Sequence, residues 1–223
     1  MNRLHRYFVI CWQYFEWVVL HIFVLVWRFD VTLPDKFPDK PFLMVTNHKC
    51  MVDPWFFTIL MPFSVFREHP PYSFVASQEF PLWFRVFIKI FLYFPNGVEP
   101  LPRRKGKEEL TIDEKIAPTL NALNNGDIAL IFPEGHVHKK EGIGEFKRGA
   151  AYLQELNGAP IMLGSIRFSK HKFLPGSWWG LPWVKRTINW AEKPVYIPKE
   201  ILHDNGASGE WLRKQVEELY RIV

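Results

Sequence analysis

Cysteine is scarce in this chain of 223 residues, which has two, Cys11 and Cys50. Two thiols cannot form the dense disulfide framework of a small secreted scaffold, so the cysteine content gives no indication of an oxidising compartment. The mean hydropathy of −0.09 is also low for a protein with several membrane spans. Because each spanning helix needs about 20 consecutive apolar residues, the sequence excludes a polytopic transporter.

Acidic residues are fewer than basic ones, 23 against 28, and the formal charge is +5. This charge indicates an anionic partner, and nucleic acid, an anionic membrane and a phosphorylated ligand fit it equally well. The 10 Trp and 20 Phe residues favour a membrane, because aromatic side chains are enriched at membrane interfaces. We expect no nucleic-acid partner, because the basic residues are scattered and no segment carries an aromatic and basic recognition face.

The N-terminal segment, residues 1–30, is predicted to be an amphipathic helix associated with a membrane. Residues 7–27 read YFVICWQYFEWVVLHIFVLVW, with polar interruptions at Gln13, Glu16 and His21. In a helix, these residues and the flanking arginines share an arc of roughly 140°, opposite a continuous apolar face. A helix lying in the membrane plane keeps such a polar stripe in water. We therefore expect a monotopic anchor, with a single span or a buried core helix as the alternatives.

The remaining chain alternates between strand and helix patterns. A linker at 31–41, VTLPDKFPDKP, is predicted to lack regular structure because of its prolines and charges. The predicted strands cover 42–46, 73–76, 98–101, 128–132, 161–166 and 187–191. Predicted helices cover 111–124, where Thr111 and Glu114 form a capping box, 147–157 and 210–221. The sequence thus predicts a single α/β domain with a mixed β-sheet flanked by helices.

The first polar cluster, NHKCMVD, directly follows the first of these strands. His48 and Asp53 are five positions apart, and on a regular helix they would lie about 140° from each other, out of reach. They can meet only in a turn that enters a helix, for which Asp53-Pro54 is a suitable start. There the carboxylate would orient the imidazole as a general base for a substrate hydroxyl. The alternative is that Asp53 only caps a helix and His48 is an ordinary loop histidine.

Two further polar clusters also follow predicted strands: GVEPLPRR at 97–104 and FPEG at 132–135. Ligands of open α/β sheets bind outside the carboxyl ends of the strands, so all three clusters can converge on one pocket. Arg103 or Arg104 offers a planar fork for phosphate, unless both belong to a solvated charge run. Glu134 could bind a glycerol-like hydroxyl or hold an arginine.

In combination, these motifs resemble the PlsC-like glycerolipid acyltransferases, a family that includes the 1-acylglycerol-3-phosphate acyltransferases. The resemblance covers roughly residues 42–198 and implies an acyltransferase domain over 31–223. Four motifs carry the resemblance: an NH-x4-D signature, a glycine followed six positions later by arginine, an FPEG block with a downstream FKRGA, and a final API. In the same order, their residues are Asn47, His48 and Asp53; Gly97 and Arg103; Phe132, Pro133, Glu134, Gly135 and Lys147; and Ala159-Pro160-Ile161.

The resemblance implies acyl transfer from acyl-CoA or acyl carrier protein to the hydroxyl of a lysophospholipid such as lysophosphatidate, in phospholipid biosynthesis or remodelling. It implies that His48 is the catalytic base and Asp53 its orienting partner. The other motif residues would bind substrate: Asn47, Gly97, Arg103, Phe132, Pro133, Glu134, Gly135 and Lys147. No cofactor or metal is implied beyond the thioester co-substrate, and the enzyme would be membrane-associated, with its catalytic domain on the cytoplasmic face.

The chain departs from the family pattern in ways that affect the acceptor more than the chemistry. Cys50 stands where the family often has Ser, Pro100 replaces an aromatic residue, and His136-Val137-His138 replaces the usual Thr-Arg-Ser. Two readings from other classes stay open. His136 and His138 could form a zinc site with His48, or the chain could be a non-catalytic lipid-binding membrane protein, which would tolerate loss of His48.

Overall fold

A computed structural model describes residues 3–24, 29–39, 41–50, 53–59, 72–76, 99–100, 110–138, 140–168 and 185–222. The strands are β1 (Phe29–Thr32), β2 (Leu43–Thr46), β3 (Tyr72–Ala76), β4 (Glu99–Pro100), β5 (Ile128–Ile131), β6 (Ile161–Phe168) and β7 (Arg186–Trp190). The helices are α1 (Arg3–Val24), α2 (Asp53–Ile59), α3 (Ile112–Asn124), α4 (Gly149–Asn157), α5 (Lys199–Leu202) and α6 (Asn205–Arg221).

The described strands form one mixed sheet of seven, in the order β1-β7-β6-β2-β5-β3-β4. Strands β6 and β7 are antiparallel, and every other neighbouring pair is parallel. The predicted mixed sheet is therefore confirmed. Because β2 and β5 run side by side in the same direction, the segments that follow them emerge at the same edge. This edge carries both the His48 turn and the Glu134 turn.

Both faces of the central strand β2 are covered. Its four residues are buried, as the continuous apolar run of a parallel core strand requires. Met44 packs into a cluster that includes Phe57 of α2, with Trp17 of α1 against its edge. Leu43 and Val45 point to the opposite cluster, which α3, α4 and α6 complete. The sheet thus lies between two helical layers.

The predicted helix signals of α3 and α4 are confirmed. Glu114 N donates to Thr111 Oγ1 at 3.3 Å, and Thr111 N donates to Glu114 Oε2 at 2.9 Å, which completes the capping box. Helix α4 ends at Gly158, whose φ of 74° lies in the left-handed region that favours glycine. Helix α6 begins five residues before the predicted start, because Asp204 accepts hydrogen bonds from Gly206 N and Ala207 N.

The predicted boundary between the helical segment at 1–30 and the linker at 31–41 is wrong, because β1 covers Phe29–Thr32 and so includes the last two residues of the one and the first two of the other. Phe29 of β1 is in register with Arg186 of β7, and the two strands are parallel. An edge strand pairs on one side and can therefore be short and stop before Pro34. Strand β6 likewise extends beyond the predicted end at 166, because its antiparallel pairing with β7 continues to Phe168.

Helix α1 turns one of its polar residues toward the protein. Gln13 is 6% exposed and Val9 is fully buried, while Trp17 packs against the core cluster that includes Phe57. The expectation that the polar stripe stays in water is thus wrong at Gln13. The outward face is apolar instead, with exposed side chains at Leu4, Tyr7, Phe8, Phe15, Val18 and Ile22. Among the described helices, none combines the length and hydropathy needed to cross a membrane.

Candidate active site

The turn after β2 brings His48 and Asp53 together. Asp53 N donates to Cys50 O at 3.2 Å, which closes the turn just as α2 begins at Asp53. His48 Nδ1 lies 3.0 Å from Asp53 Oδ2. The Asp53 side chain is fully buried, and the His48 side chain is 15% exposed. The five-residue spacing is therefore bridged by a turn at the helix start, as the sequence predicts.

The carboxylate of Asp53 is held on all sides by its own turn. Its Oδ2 also accepts Lys49 N at 2.5 Å and Cys50 N at 2.7 Å. Its Oδ1 accepts Cys50 Sγ at 2.8 Å. Hydrogen bonds to an ionised acceptor are short and strong, so this network fixes the carboxylate before any substrate binds. A carboxylate on Nδ1 favours the tautomer that protonates this nitrogen, which leaves Nε2 to accept a proton.

A second turn, after β5, contributes the residues Phe132, Pro133, Glu134 and Gly135. The Phe132 ring stacks on the His48 imidazole, with centroids 4.1 Å apart and planes 20° from parallel. Gly135 N donates to Phe132 O at 3.0 Å, and Gly135 has a φ of 72°, which a side chain would strain. The two turns are thus packed against each other through the imidazole.

Glu134 is fully buried beside this pair. Its Oε1 accepts Gly144 N at 3.0 Å, while its Oε2 is buried and has no hydrogen-bond partner in the described part of the chain. Burial raises the pKa of the Glu134 carboxyl, and the N–H groups of Gly144 and His48 and the charge of Lys49 oppose that rise. Glu134 therefore has one oxygen that accepts no hydrogen bond from the described residues.

Asn47 and Lys147, both predicted to bind substrate, have different surroundings. Asn47 is buried, with Nδ2 donating to Ile166 O at 2.9 Å and Oδ1 accepting Ile166 N at 2.8 Å. Its amide thus ties the His48 turn to β6. Lys147 N donates to Pro133 O at 2.9 Å, and a Cβ added at Gly135 would lie 3.2 Å from Lys147 Nζ. Lys147 therefore borders the Glu134 turn.

Other predicted residues lie outside the described ones. Gly97 and Arg103 are among them, as is the Trp-rich stretch GSWWGLPW at 176–183, whose aromatic residues favour either a second membrane contact or ordinary aromatic packing. Strand β4, which Arg103 follows in the sequence, runs parallel to β3. The carboxyl end of β4 thus belongs to the edge that carries His48 and Glu134.

Lys49 lies at this edge of the sheet, and the sequence did not predict a role for it. It is 2% exposed, and its Nζ donates to Lys140 O at 2.8 Å and to Gly142 O. Burial lowers the pKa of Lys49, and the charges of Glu134, Asp53 and Glu141 oppose that shift. Its place inside the NH-x4-D motif was the available signal, because a turn that closes on Asp53 tends to bury the residues within it.

The zinc reading gains no support from the described residues. They include no group of three His, Cys, Asp or Glu side chains arranged to hold a metal ion. The backbone of His138 contacts the His48 turn, since His138 N donates to His48 O at 2.7 Å. Burial and the charge of Lys49 lower the pKa of the His138 imidazole.

Comparisons with known proteins agree with the motifs. A sequence model of the Acyltransferase family matches residues 28–163. The probable 1-acyl-sn-glycerol-3-phosphate acyltransferase of Mycoplasma genitalium is 28% identical over 169 residues, which are 74% of this chain and 59% of that protein. The crystal structure of the 1-acyl-sn-glycerophosphate (LPA) acyltransferase PlsC from Thermotoga maritima matches with a TM-score of 0.60 and 19% identity, over 97% of this chain and 82% of that one.

Proposed function

The chain belongs to the Acyltransferase family, and we propose that it transfers an acyl group from a thioester to the hydroxyl of a lysophospholipid such as lysophosphatidate. The relative from Mycoplasma genitalium carries a name of this kind, and the chain spans 59% of its length. The observation that carries the proposal is the His48 Nδ1 to Asp53 Oδ2 contact of 3.0 Å at the carboxyl edge of the sheet. This contact orients an imidazole for proton transfer next to a buried carboxylate with a spare acceptor atom.

In the proposed reaction, His48 Nε2 takes the proton of the acceptor hydroxyl as its oxygen attacks the thioester carbonyl. A backbone N–H near the dyad would stabilise the resulting oxyanion. The tetrahedral intermediate then collapses, the C–S bond breaks, and the imidazolium returns its proton to the thiolate. Asp53 stabilises the imidazolium in between. No acyl-enzyme is formed, and no cofactor or metal is needed beyond the acyl-CoA or acyl carrier protein co-substrate.

The remaining residues would bind and position the two substrates. We assign Glu134 Oε2 to the glycerol hydroxyl of the acceptor and Arg103 to its phosphate, with Gly97, Phe132, Pro133, Gly135 and Lys147 around them. Asn47 acts by position, because both polar atoms of its amide are bonded to the backbone of Ile166. It would keep the His48 turn at a fixed distance from β6.

Lipid mass spectrometry tests the reaction. The purified protein is incubated with palmitoyl-CoA or palmitoyl carrier protein and with lysophosphatidate, lysophosphatidylcholine, lysophosphatidylglycerol or monoacylglycerol. The proposal predicts a diacyl product from a phosphate-bearing lysolipid and little from monoacylglycerol. Lipid binding without a product from any pair would instead favour a non-catalytic lipid-binding protein.

We further propose that residues 1–30 hold the acyltransferase domain, residues 31–223, on the cytoplasmic face of a membrane. The support is the apolar outward face of α1, on which Tyr7 is 69% exposed and Ile22 is 62% exposed. Apolar faces of this kind insert into the headgroup region of a bilayer. The net positive charge of the chain, +5, would favour binding to anionic lipids.

Vesicle sedimentation tests this membrane association. Phe8, Phe15 and Ile22 are replaced together by Asn, and Leu156→Asn on α4 serves as the control, because Leu156 is also exposed, at 48%. The triple variant should lose binding to phosphatidylglycerol vesicles while the control keeps it. Full binding by the triple variant would assign the association to another surface, such as the Trp-rich stretch at 176–183.

A further inference from the structure

Residues 140–144, named here the strap, connect the two turns of the site. Lys49 Nζ donates to the carbonyls of Lys140 and Gly142 in the strap. At its other end, Gly144 N donates to Glu134 Oε1 at 3.0 Å. The strap is therefore tied to the His48 turn through Lys49 and to the Glu134 turn through Gly144.

Glycines allow the strap to come this close. Gly142 has a φ of 80°, in the left-handed region. A Cβ added at Gly144 would lie 2.9 Å from His138 Nδ1 and 3.3 Å from the Cγ and Cδ atoms of Glu134. Because a Cβ cannot be accommodated without a shift there, the backbone at Gly144 reaches the carboxylate directly.

The two ends of this connection are both ionisable and both buried. Burying a charge without a partner is unfavourable, and hydrogen bonds or an opposite charge offset that penalty. Lys49 has two carbonyl partners in the strap and lies 5.6 Å from the centroid of the Tyr220 ring. The Glu134 carboxylate accepts a hydrogen bond from Gly144 N of the same strap, and the backbone N–H of His48 adds a second favourable interaction. The rotamer of Glu134 thus depends on where Lys49 holds the strap.

We propose that Lys49 is a positioning residue, which holds the strap against both turns and so keeps Glu134 Oε2 in place for the acceptor hydroxyl. The last step of this inference rests on the proposed function. Lys49 does not touch substrate in this account, since its ammonium points into the strap. Its effect reaches the acceptor through Gly144 and Glu134.

Hydrogen–deuterium exchange tests the structural half without any substrate. Lys49→Met keeps the apolar stem but removes the ammonium, and Lys193→Met removes an exposed lysine elsewhere as the control. Peptides covering the strap should exchange about tenfold faster in Lys49→Met, the change expected when a hydrogen bond to a charged group is lost. They should exchange as in the wild type in the control. Wild-type protection in a folded Lys49→Met protein would overturn the inference.

Kinetics test the functional half. Lys49→Met should lower kcat/KM for the lysolipid by at least about tenfold and leave the donor KM unchanged, because the altered group is the acceptor-side Glu134. Lys49→Arg, which keeps charge and donors, should recover part of this loss. In a Glu134→Gln background, Lys49→Met should cause no further loss, whereas losses that multiply in the double variant would overturn the inference.

Two results separate this inference from the proposed function. If the wild type produces no acylated lipid, the proposed function is wrong, and the exchange experiment still decides whether Lys49 holds the strap. If the wild type is active and Lys49→Met has wild-type kinetics, the positioning role is wrong and the proposed function stands. Should Lys49→Met not fold, Lys49→Met/Glu134→Gln removes both buried charges, and it should match the activity of Glu134→Gln alone.

Discussion

The turn after β2 and the turn after β5 each bury a carboxylate completely, but the two carboxylates are satisfied to different degrees. Asp53 accepts from the His48 ring, from two backbone N–H groups and from the Cys50 thiol. Glu134 accepts from Gly144 N through one oxygen, and its other oxygen has no hydrogen-bond partner among the described residues. The first carboxylate is complete as it stands, whereas the second has capacity left for a ligand.

This difference assigns roles within a single edge of the sheet. A buried polar group that is fully hydrogen-bonded stabilises and orients its neighbours. A buried polar group that is only partly satisfied lowers stability, and a role in binding or catalysis is one reason for its presence. In the proposed reaction, Asp53 therefore orients the general base, and Glu134 is the carboxylate that would meet the acceptor. The following variants test that division, beginning with the group that Asp53 orients.

His48→Ala removes the proton acceptor itself and should have the largest effect. Transfer should fall by about 10²- to 10⁴-fold, the usual contribution of general-base catalysis. The thermal midpoint should stay close to that of the wild type, because the proposed role of His48 is to move a proton and His48 belongs to neither core cluster. Product formation from lysophosphatidate measures the effect, and His136→Ala, an exposed histidine of the same region, is the control. Near wild-type turnover in folded His48→Ala would remove His48 from the mechanism.

Arg103→Lys tests whether the segment after β4 supplies the phosphate contact. Lysine keeps the charge but cannot reproduce two parallel hydrogen bonds to phosphate. The KM for the lysolipid should rise by an amount equivalent to about 1–3 kcal/mol, and the donor KM should change much less. Kinetics with each substrate varied in turn measure both. A rise confined to the donor KM would move Arg103 to the phosphates of coenzyme A or of the carrier prosthetic group.

Asp53→Asn should lower the free energy of unfolding more than Glu134→Gln does. In Asp53→Asn, an NH₂ group must face the donors that the carboxylate now accepts, which should lower the free energy of unfolding by about 1–3 kcal/mol. In Glu134→Gln, a neutral amide replaces a poorly solvated charge, so the change should be within about 0.5 kcal/mol or stabilising. Urea unfolding at neutral pH measures both variants. Equal destabilisation would abolish the distinction between the two carboxylates.

The distinction should also appear in the pH dependence of stability, as the smallest of these effects. The folded state raises the pKa of Glu134, so it binds this proton more tightly than the unfolded chain does. The resulting stabilisation is present below the ordinary glutamate pKa and is lost as pH rises through the folded value. The difference in Tm, Glu134→Gln minus wild type, should therefore become more positive as pH increases across this range. A constant difference in Tm would contradict the raised pKa.

The sequence predicts the local parts of this site better than the distant ones. The meeting of His48 and Asp53 was predictable, because five residues and a proline leave few turns that could join them. The common edge of β2 and β5 followed from strand patterns. The contacts of Lys49 could not be predicted, because the carbonyls that its ammonium binds lie 91 and 93 positions away in sequence. No local pattern encodes such a contact.

Two features of the fold were hidden for related reasons. The sequence divides β1 between the predicted N-terminal helix and the linker, because prolines dominate the residues after it, although an edge strand needs one partner and few residues. The period of α1 defined an apolar and a polar face, but periodicity does not say which face meets the protein. The burial of Gln13 was decided by packing on α2 and the core, which is a tertiary effect.

Thioester consumption with and without acceptor tests the central claim, direct transfer with His48 as base, most directly. Release of free coenzyme A from palmitoyl-CoA is followed for the wild type and for His48→Ala, each with and without lysophosphatidate. We expect release by the wild type only when lysophosphatidate is present, and negligible release in the other three reactions. A stoichiometric burst without acceptor, which would indicate an acyl-enzyme, or wild-type release by folded His48→Ala would contradict it.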